Sequence, residues 1–167
     1  MSAAPGEARA PAQAAQYDAI AVPYQRSKES PVRRYVEGYS FFSLLGEVGG
    51  LAVLDLACGE GCYTRQLRQR GAARVLGVDI STAMIELARS QLRAGEAGIE
   101  YLVHDVQDLP ALGRFDVATA AYLLHYARDS DELGRMYLSI ARQLPAGGPP
   151  RAIHSKPGKT PGGKRGL

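Results

Sequence analysis

Cysteine and histidine are scarce in this chain of 167 residues, and long apolar runs are missing. Cys58 and Cys62, the only cysteines, stand four apart beside glycines. That is neither a disulfide framework nor a CxxC zinc pattern. His104, His125 and His154 are scattered along the sequence, so no metal-ligand set assembles from them. No stretch reaches the roughly 18 apolar residues of a membrane span. The N-terminus also lacks the charged-then-apolar pattern of a secretion signal. A reduced, cytoplasmic setting is the expectation.

Charge of one sign is also in short supply. The net charge is +3, with 46% hydrophobic and 22% charged residues, an ordinary balance for a single α/β domain. Much of the positive charge lies from Arg151 onward, where five Lys or Arg residues occur without an acid. We read that stretch as a solvated end, with no nucleic-acid or membrane partner.

The residues that are present alternate in a regular way. Residues 1–16 are rich in Ala and Pro and show no hydrophobic period, so a disordered leader is expected. Val32, Tyr35, Val36, Tyr39 and Phe42 recur at helical spacing. After Gly49-Gly50, a buried strand is expected over Leu51 to Leu56, then a Gly-rich bend and a helix ending at Gly71. Further strands are expected over Val75 to Val78, Ile99 to Val103 and Phe115 to Ala121. Ser81 is placed to cap a helix carrying Met84, Ile85, Leu87, Ala88 and Leu92. Asp129 or Ser130 opens another, with Leu133, Met136, Tyr137, Ile140 and Leu144 as its inner face. This rhythm predicts an α/β fold: a Rossmann-like, doubly wound, mostly parallel sheet with helices on both faces. The domain is expected over 17–148, with an N-terminal cap at 17–48 and a core at 49–148. A Gly/Pro/Lys-rich tail follows at 149–167.

Three of these strands end in acids, Asp55, Asp79 and Asp105, separated by 24 and 26 residues. Each interval is one βα unit, so all three should line the carboxyl edge of the sheet, where such folds bind ligands. The bend after the first strand reads Asp55-Leu56-Ala57-Cys58-Gly59-Glu60-Gly61. Its glycines admit close approach of a ligand to the backbone. A nicotinamide fingerprint needs a third glycine where Thr64 stands. A pyrophosphate would also be repelled by Asp55 and Glu60. S-Adenosylmethionine brings an ammonium and a sulfonium, which the same acids would attract.

The runs VLDLACGEG (Val53 to Gly61), LGVDIS (Leu76 to Ser81) and HDVQDLP (His104 to Pro110) resemble motifs I to III of class I S-adenosylmethionine-dependent methyltransferases. FDVATAAYLLHY (Phe115 to Tyr126) resembles their fourth motif, and YDAIAVPY (Tyr17 to Tyr24) a substrate-side cap. The pattern is similar to the small-molecule branch, toxoflavin-type enzymes included, and covers roughly Tyr17 to Gly148. The resemblance implies that Ala57, Gly59 and Gly61 pack under the methionine part of the cofactor. Asp55, with Glu60 nearby, would face its ammonium. Asp79 would accept from the ribose hydroxyls. Ile80 and Met84 would wall the adenine, and Asp105 with the Val106 backbone would hold its amino group. Ala121 and Tyr122 would lie near the sulfonium. His125 is the candidate general base, with Tyr122 beside it, and Tyr17 and Tyr24 face a small-molecule acceptor. Ala118-Thr119-Ala120-Ala121-Tyr122 lacks the Asn/Asp-Pro-Pro-aromatic text of base-amino methylation.

The resemblance further implies a fifth strand after Gly148, where Pro149 and Pro150 stand. A short ragged strand over Arg151 to Ser155 is the most this stretch offers. The C-terminal strands are therefore expected to be incomplete, as by truncation or alteration, and the open sheet edge to invite self-association. The alternative to an active enzyme is a fold that binds cofactor or a partner without turnover.

Overall fold

The computed structural model describes residues 38–93, 97–121 and 123–145, together with the backbone of 152–153. The expected leader, Tyr17, Tyr24, the helical positions Val32, Tyr35 and Val36, and most of the tail lie outside the described residues. Helix α1 spans Gly38–Leu45, followed by β1 (Ala52–Leu56), α2 (Cys62–Gln69), β2 (Arg74–Asp79), α3 (Thr82–Ser90) and β3 (Ile99–Val103). Strand β4 (Val117–Thr119), α4 (Ser130–Ala141) and β5 (Ala152–Ile153) complete the described elements. Two 3-10 turns intervene, at Val106–Asp108 and Leu124–Tyr126.

The five strands form one sheet in the order β3-β2-β1-β4-β5, every pairing parallel. Within the region expected to be a tail, Ala152 and Ile153 pair with Ala118 and Thr119. In the sequence the paired residues come after Pro149 and Pro150, which lie outside the described residues. Strand β4 is shorter than expected. The Phe115 amide donates to the Gln143 carbonyl, at the end of α4, instead of joining a strand.

Side-chain alternation sends successive strand residues to opposite faces. Leu54, Leu56, Leu76 and Val78 pack with Met136 and Ile140 of α4. Val53, Val75 and Val117 pack with Phe41 and Leu45 of α1 and Leu67 of α2. Ile99 and Tyr101 pack with Ile85 and Ala88 of α3. Each fully buried aliphatic side chain contributes about 1.5–3 kcal/mol. Two helical faces differ from the sequence expectation. On α1 the buried positions are Gly38, Phe41 and Leu45, whereas Tyr39 is 77% exposed. On α4 Tyr137 is 50% exposed, and Glu132 and Ser139 turn inward, as does Gln143 just past the helix end. Among the described residues no helix is long and apolar enough to cross a membrane.

Caps fix the helix starts. Ser81 accepts from the Met84 amide at 3.1 Å and Asp129 from the Glu132 amide at 2.8 Å. Helix α2 has no side-chain cap; it starts from Gly61, whose φ is 77°.

Candidate active site

The turn between β1 and α2 is built from alternating left-handed residues: Ala57 (φ 54°), Gly59 (φ 56°) and Gly61 (φ 77°). Glycine adopts this conformation freely, whereas alanine does so at a cost of about 1–2 kcal/mol. Ala57 is the one described non-glycine residue with positive φ. The Cys58 amide donates to the Val78 carbonyl and the Gly61 amide to the Cys58 carbonyl, which folds the turn against the end of β2. A Cβ at Gly59 would meet no atom of the described residues within 4 Å, so the backbone there is open on that side.

Asp79 anchors the turn. Its Oδ2 accepts from the Gly59 amide at 2.8 Å and its Oδ1 from the Ser81 amide at 3.0 Å. One carboxylate at the end of β2 thus ties the glycine turn to the start of α3. Asp55 sits deeper and is only 2% exposed. Its Oδ2 accepts from the Thr64 hydroxyl at 2.6 Å and its Oδ1 from the Thr119 hydroxyl at 2.9 Å. Asp105 is half-buried and caps the turn at Val106–Asp108, accepting from the Gln107 amide at 2.9 Å.

The three acids therefore all lie at or just past the carboxyl ends of parallel strands, but at stepped depths. Asp55 is in register with Gly77, two residues before Asp79, and Asp79 with Val103, two residues before Asp105. Glu60 is not a free acid: its carboxylate pairs with Arg65 at 2.8 Å, which compensates its charge. The attraction for a cationic ligand expected of Glu60 is correspondingly reduced. Ile80 is half-buried at the rim, whereas Met84 is 1% exposed and presents almost no surface to a ligand. Val106 and Ala121 are buried. His125 is exposed in the turn after β4, its ring 4.0 Å from that of Tyr126. Tyr122 lies outside the described residues.

Burial raises the Cys58 thiol well above its ordinary value, and the negative charges of Asp55 and Asp79 add to the effect. Cys58 is thus a neutral packing residue, unsuited to nucleophilic work. Sequence reading missed Thr64 and Thr119 as partners of Asp55. Thr64 registered there only as an absent glycine, and the β1–β4 register that brings Thr119 to Asp55 is a tertiary fact.

Residues 53–148 match the family model described as a methyltransferase domain. The chain belongs to that family. It is 37% identical over 98 residues to the magnesium-protoporphyrin O-methyltransferase of Rhodobacter capsulatus, covering 58% of this chain and 42% of that protein. It is 37% identical over 82 residues to the demethylmenaquinone methyltransferase of Lactococcus lactis, covering 47% and 32%. The chain thus spans less than half the length of these curated relatives. Among solved structures, it resembles an S-adenosylmethionine dependent methyltransferase from Mesorhizobium loti. That likeness has a TM-score of 0.58 at 34% identity and covers 65% of this chain and 48% of the other. A DhpI-SAM-HEP complex gives a TM-score of 0.68 at 26% identity, with 88% and 65% covered.

The cofactor of this methyltransferase family is S-adenosylmethionine, and the residues present fit it. Open space in front of Gly59 admits a ligand against the backbone. The buried Asp79 bonds the Gly59 amide and the buried Asp55 lies near the end of the neighbouring strand, so a phosphate-bearing cofactor would meet negative charge and a cationic one is attracted.

Proposed function

We propose that this methyltransferase-family chain transfers a methyl group from S-adenosylmethionine to a small-molecule acceptor by in-line displacement. The observation that carries the reading is the turn itself: left-handed, open at Gly59, and anchored by Asp79 at the carboxyl ends of parallel strands. Two relatives are named for action on demethylmenaquinone and magnesium-protoporphyrin, which supports a small organic acceptor. The similarity of the sequence to toxoflavin-type enzymes belongs to the same reading.

The sulfonium of the cofactor supplies an activated methyl and its own leaving group. The chain's residues bind and orient. Gly59 offers backbone without side-chain obstruction, Gly61 carries the turn into α2, and Asp55 provides fixed negative charge toward the methionine end. Asp79 accepts from the ribose hydroxyls while keeping its bond to the Gly59 amide. Asp105 and the Val106 backbone serve the adenine edge, beside Ile80. Alignment of acceptor, methyl and sulfur supplies on the order of 7–11 kcal/mol of barrier lowering. Where the acceptor arrives protonated, His125 at the rim takes its proton. Tyr122, Tyr17 and Tyr24 orient the acceptor.

Calorimetric titration with S-adenosylhomocysteine tests the reading. Asp79→Ala is expected to weaken binding by about 1.5–3 kcal/mol, the scale of hydrogen bonds to a charged group. Unchanged affinity in the variant would sink the assignment of Asp79, and preferential binding of NAD would sink the function.

A further inference from the structure

Next to the glycine turn lies a polar cluster of Glu60, Arg65 and Gln91. Arg65, on α2, is its hub. One guanidinium nitrogen, Nη1, donates to the Glu60 carbonyl at 2.7 Å. The other, Nη2, donates to Glu60 Oε2 and to Gln91 Oε1, both at 2.8 Å. Glu60, 5% exposed, is thereby held by backbone and side chain together.

Tyr101 rises from β3 on the same face. It is in register with Gly77, and its ring occupies the place of the missing side chain: a Cβ at Gly77 would stand 2.7 Å from Tyr101 Cδ1. Its hydroxyl ends directly under Gly61, where a Cβ would overlap it and stand 2.8 Å from Cζ. Among the described residues the buried Tyr101 hydroxyl and Gln91 Nε2 find no hydrogen-bond partner within bonding geometry. Burial disfavours the Tyr101 phenolate, while the nearby Arg65 guanidinium favours it. The turn is therefore pulled down at Glu60 and propped up at Gly61.

We propose that Arg65 and Tyr101 are positioning residues that brace the turn in its cofactor-receiving shape, and that Glu60 acts through Arg65 instead of facing the ligand. The proposal rests on the S-adenosylmethionine reading above and extends it to residues that touch no ligand. Its physical basis is preorganisation. Glycines lose the most conformational freedom on ordering, and a turn already held in place spares the ligand that cost.

S-Adenosylmethionine and S-adenosylhomocysteine differ in the methyl and in the positive charge on sulfur, which separates bracing from direct contact. Titrations of the full chain with both ligands, alongside thermal melts, give the readout. Glu60→Gln and Arg65→Met are expected to weaken both ligands by the same factor, about tenfold, and the double variant to add little to either. Arg65→Lys, which keeps the charge without the two-pronged fork, should fall between wild type and Arg65→Met. Gly61→Ala should weaken both ligands, and adding Tyr101→Leu should recover part of the loss. A loss confined to S-adenosylmethionine in Glu60→Gln would place that carboxylate against the sulfonium and overturn the proposal. So would wild-type affinity in a folded Arg65→Met. If Arg65→Met does not fold, Glu60→Gln decides, because it keeps the side-chain shape and removes only charge. A wild-type chain that binds neither ligand would overturn the cofactor reading, and the proposal with it.

Discussion

Replacing Thr64 by valine tests how the site's deepest acid is held. Thr64 is fully buried in the first turn of α2, and its hydroxyl donates to Asp55 at 2.6 Å. Valine is also β-branched, close in volume and similar in helix propensity, so cavity and backbone effects are small. What is lost is one charge-assisted hydrogen bond to a carboxylate that is 2% exposed and has little access to replacement water. Such bonds contribute about 1.5–3 kcal/mol. We expect unfolding free energy to fall by about 2 kcal/mol, lowering the urea midpoint by about 1 M at an ordinary denaturant slope. Thr119→Val, which removes the 2.9 Å bond to the other oxygen, should cost a similar amount. In a double-mutant cycle with Asp55→Asn, the Thr64→Val penalty should shrink, because the two groups act as a pair. A loss below about 0.5 kcal/mol, typical of neutral surface changes, would refute the argument that these hydroxyls hold Asp55.

Ala57→Gly should stabilise the chain by about 0.5–1 kcal/mol, since relief of the left-handed alanine exceeds the extra entropy glycine loses; a lower melting temperature would contradict this. Alkylation at about pH 8 should label Cys62 and spare Cys58, which is buried with its thiol held protonated; mass spectrometry of peptides decides, and early modification of Cys58 would count against the packing. Stability should fall at alkaline pH. Burial raises both the Cys58 thiol and the Tyr101 phenol, so the fold favours their protonated forms. That contribution is complete below their ordinary values of 9.0 and 10.0 and is lost as pH rises through the raised ones. A melting temperature that stays level from about pH 8 to about pH 10.5 would show that neither group matters.

Much of the fold was legible because its signals are local. Strand β3 spans the expected Ile99–Val103, and Ser81 and Asp129 cap the helices they precede. The helical faces were harder. In α1, Tyr39 and Phe42 suggested one stripe, but Gly38, Phe41 and Leu45 make another that fits the same period, and a glycine gives no hydrophobic signal. In α4, polarity misled. Ser139 accepts from the Leu109 amide, and Gln143 accepts from the Leu112 amide and donates to the Pro110 carbonyl. These inward polar side chains satisfy the backbone of a loop packed on the helix, so they are buried because they are polar.

The site divides in the same way. Its acids and glycines announce themselves in sequence because each sits at the end of a strand or in a turn, where residue type is locally constrained. The groups that hold them do not, because they are brought together by strand register. Thr119, Asp55, Gly77 and Tyr101 occupy one row across β4, β1, β2 and β3. Within that row Thr119 donates to Asp55, and the bare α-carbon of Gly77 lets the Tyr101 ring lean toward the turn. Gly77 lies sixteen positions beyond Gly61 and belongs to no glycine motif. Its smallness still shapes the turn, since any side chain there would displace the ring that ends beneath Gly61. The turn proposed to receive the cofactor is thus local in sequence, while the residues packed beneath it come from four strands. A substitution at Gly77 or Tyr101 should therefore alter ligand binding without touching any residue of the turn.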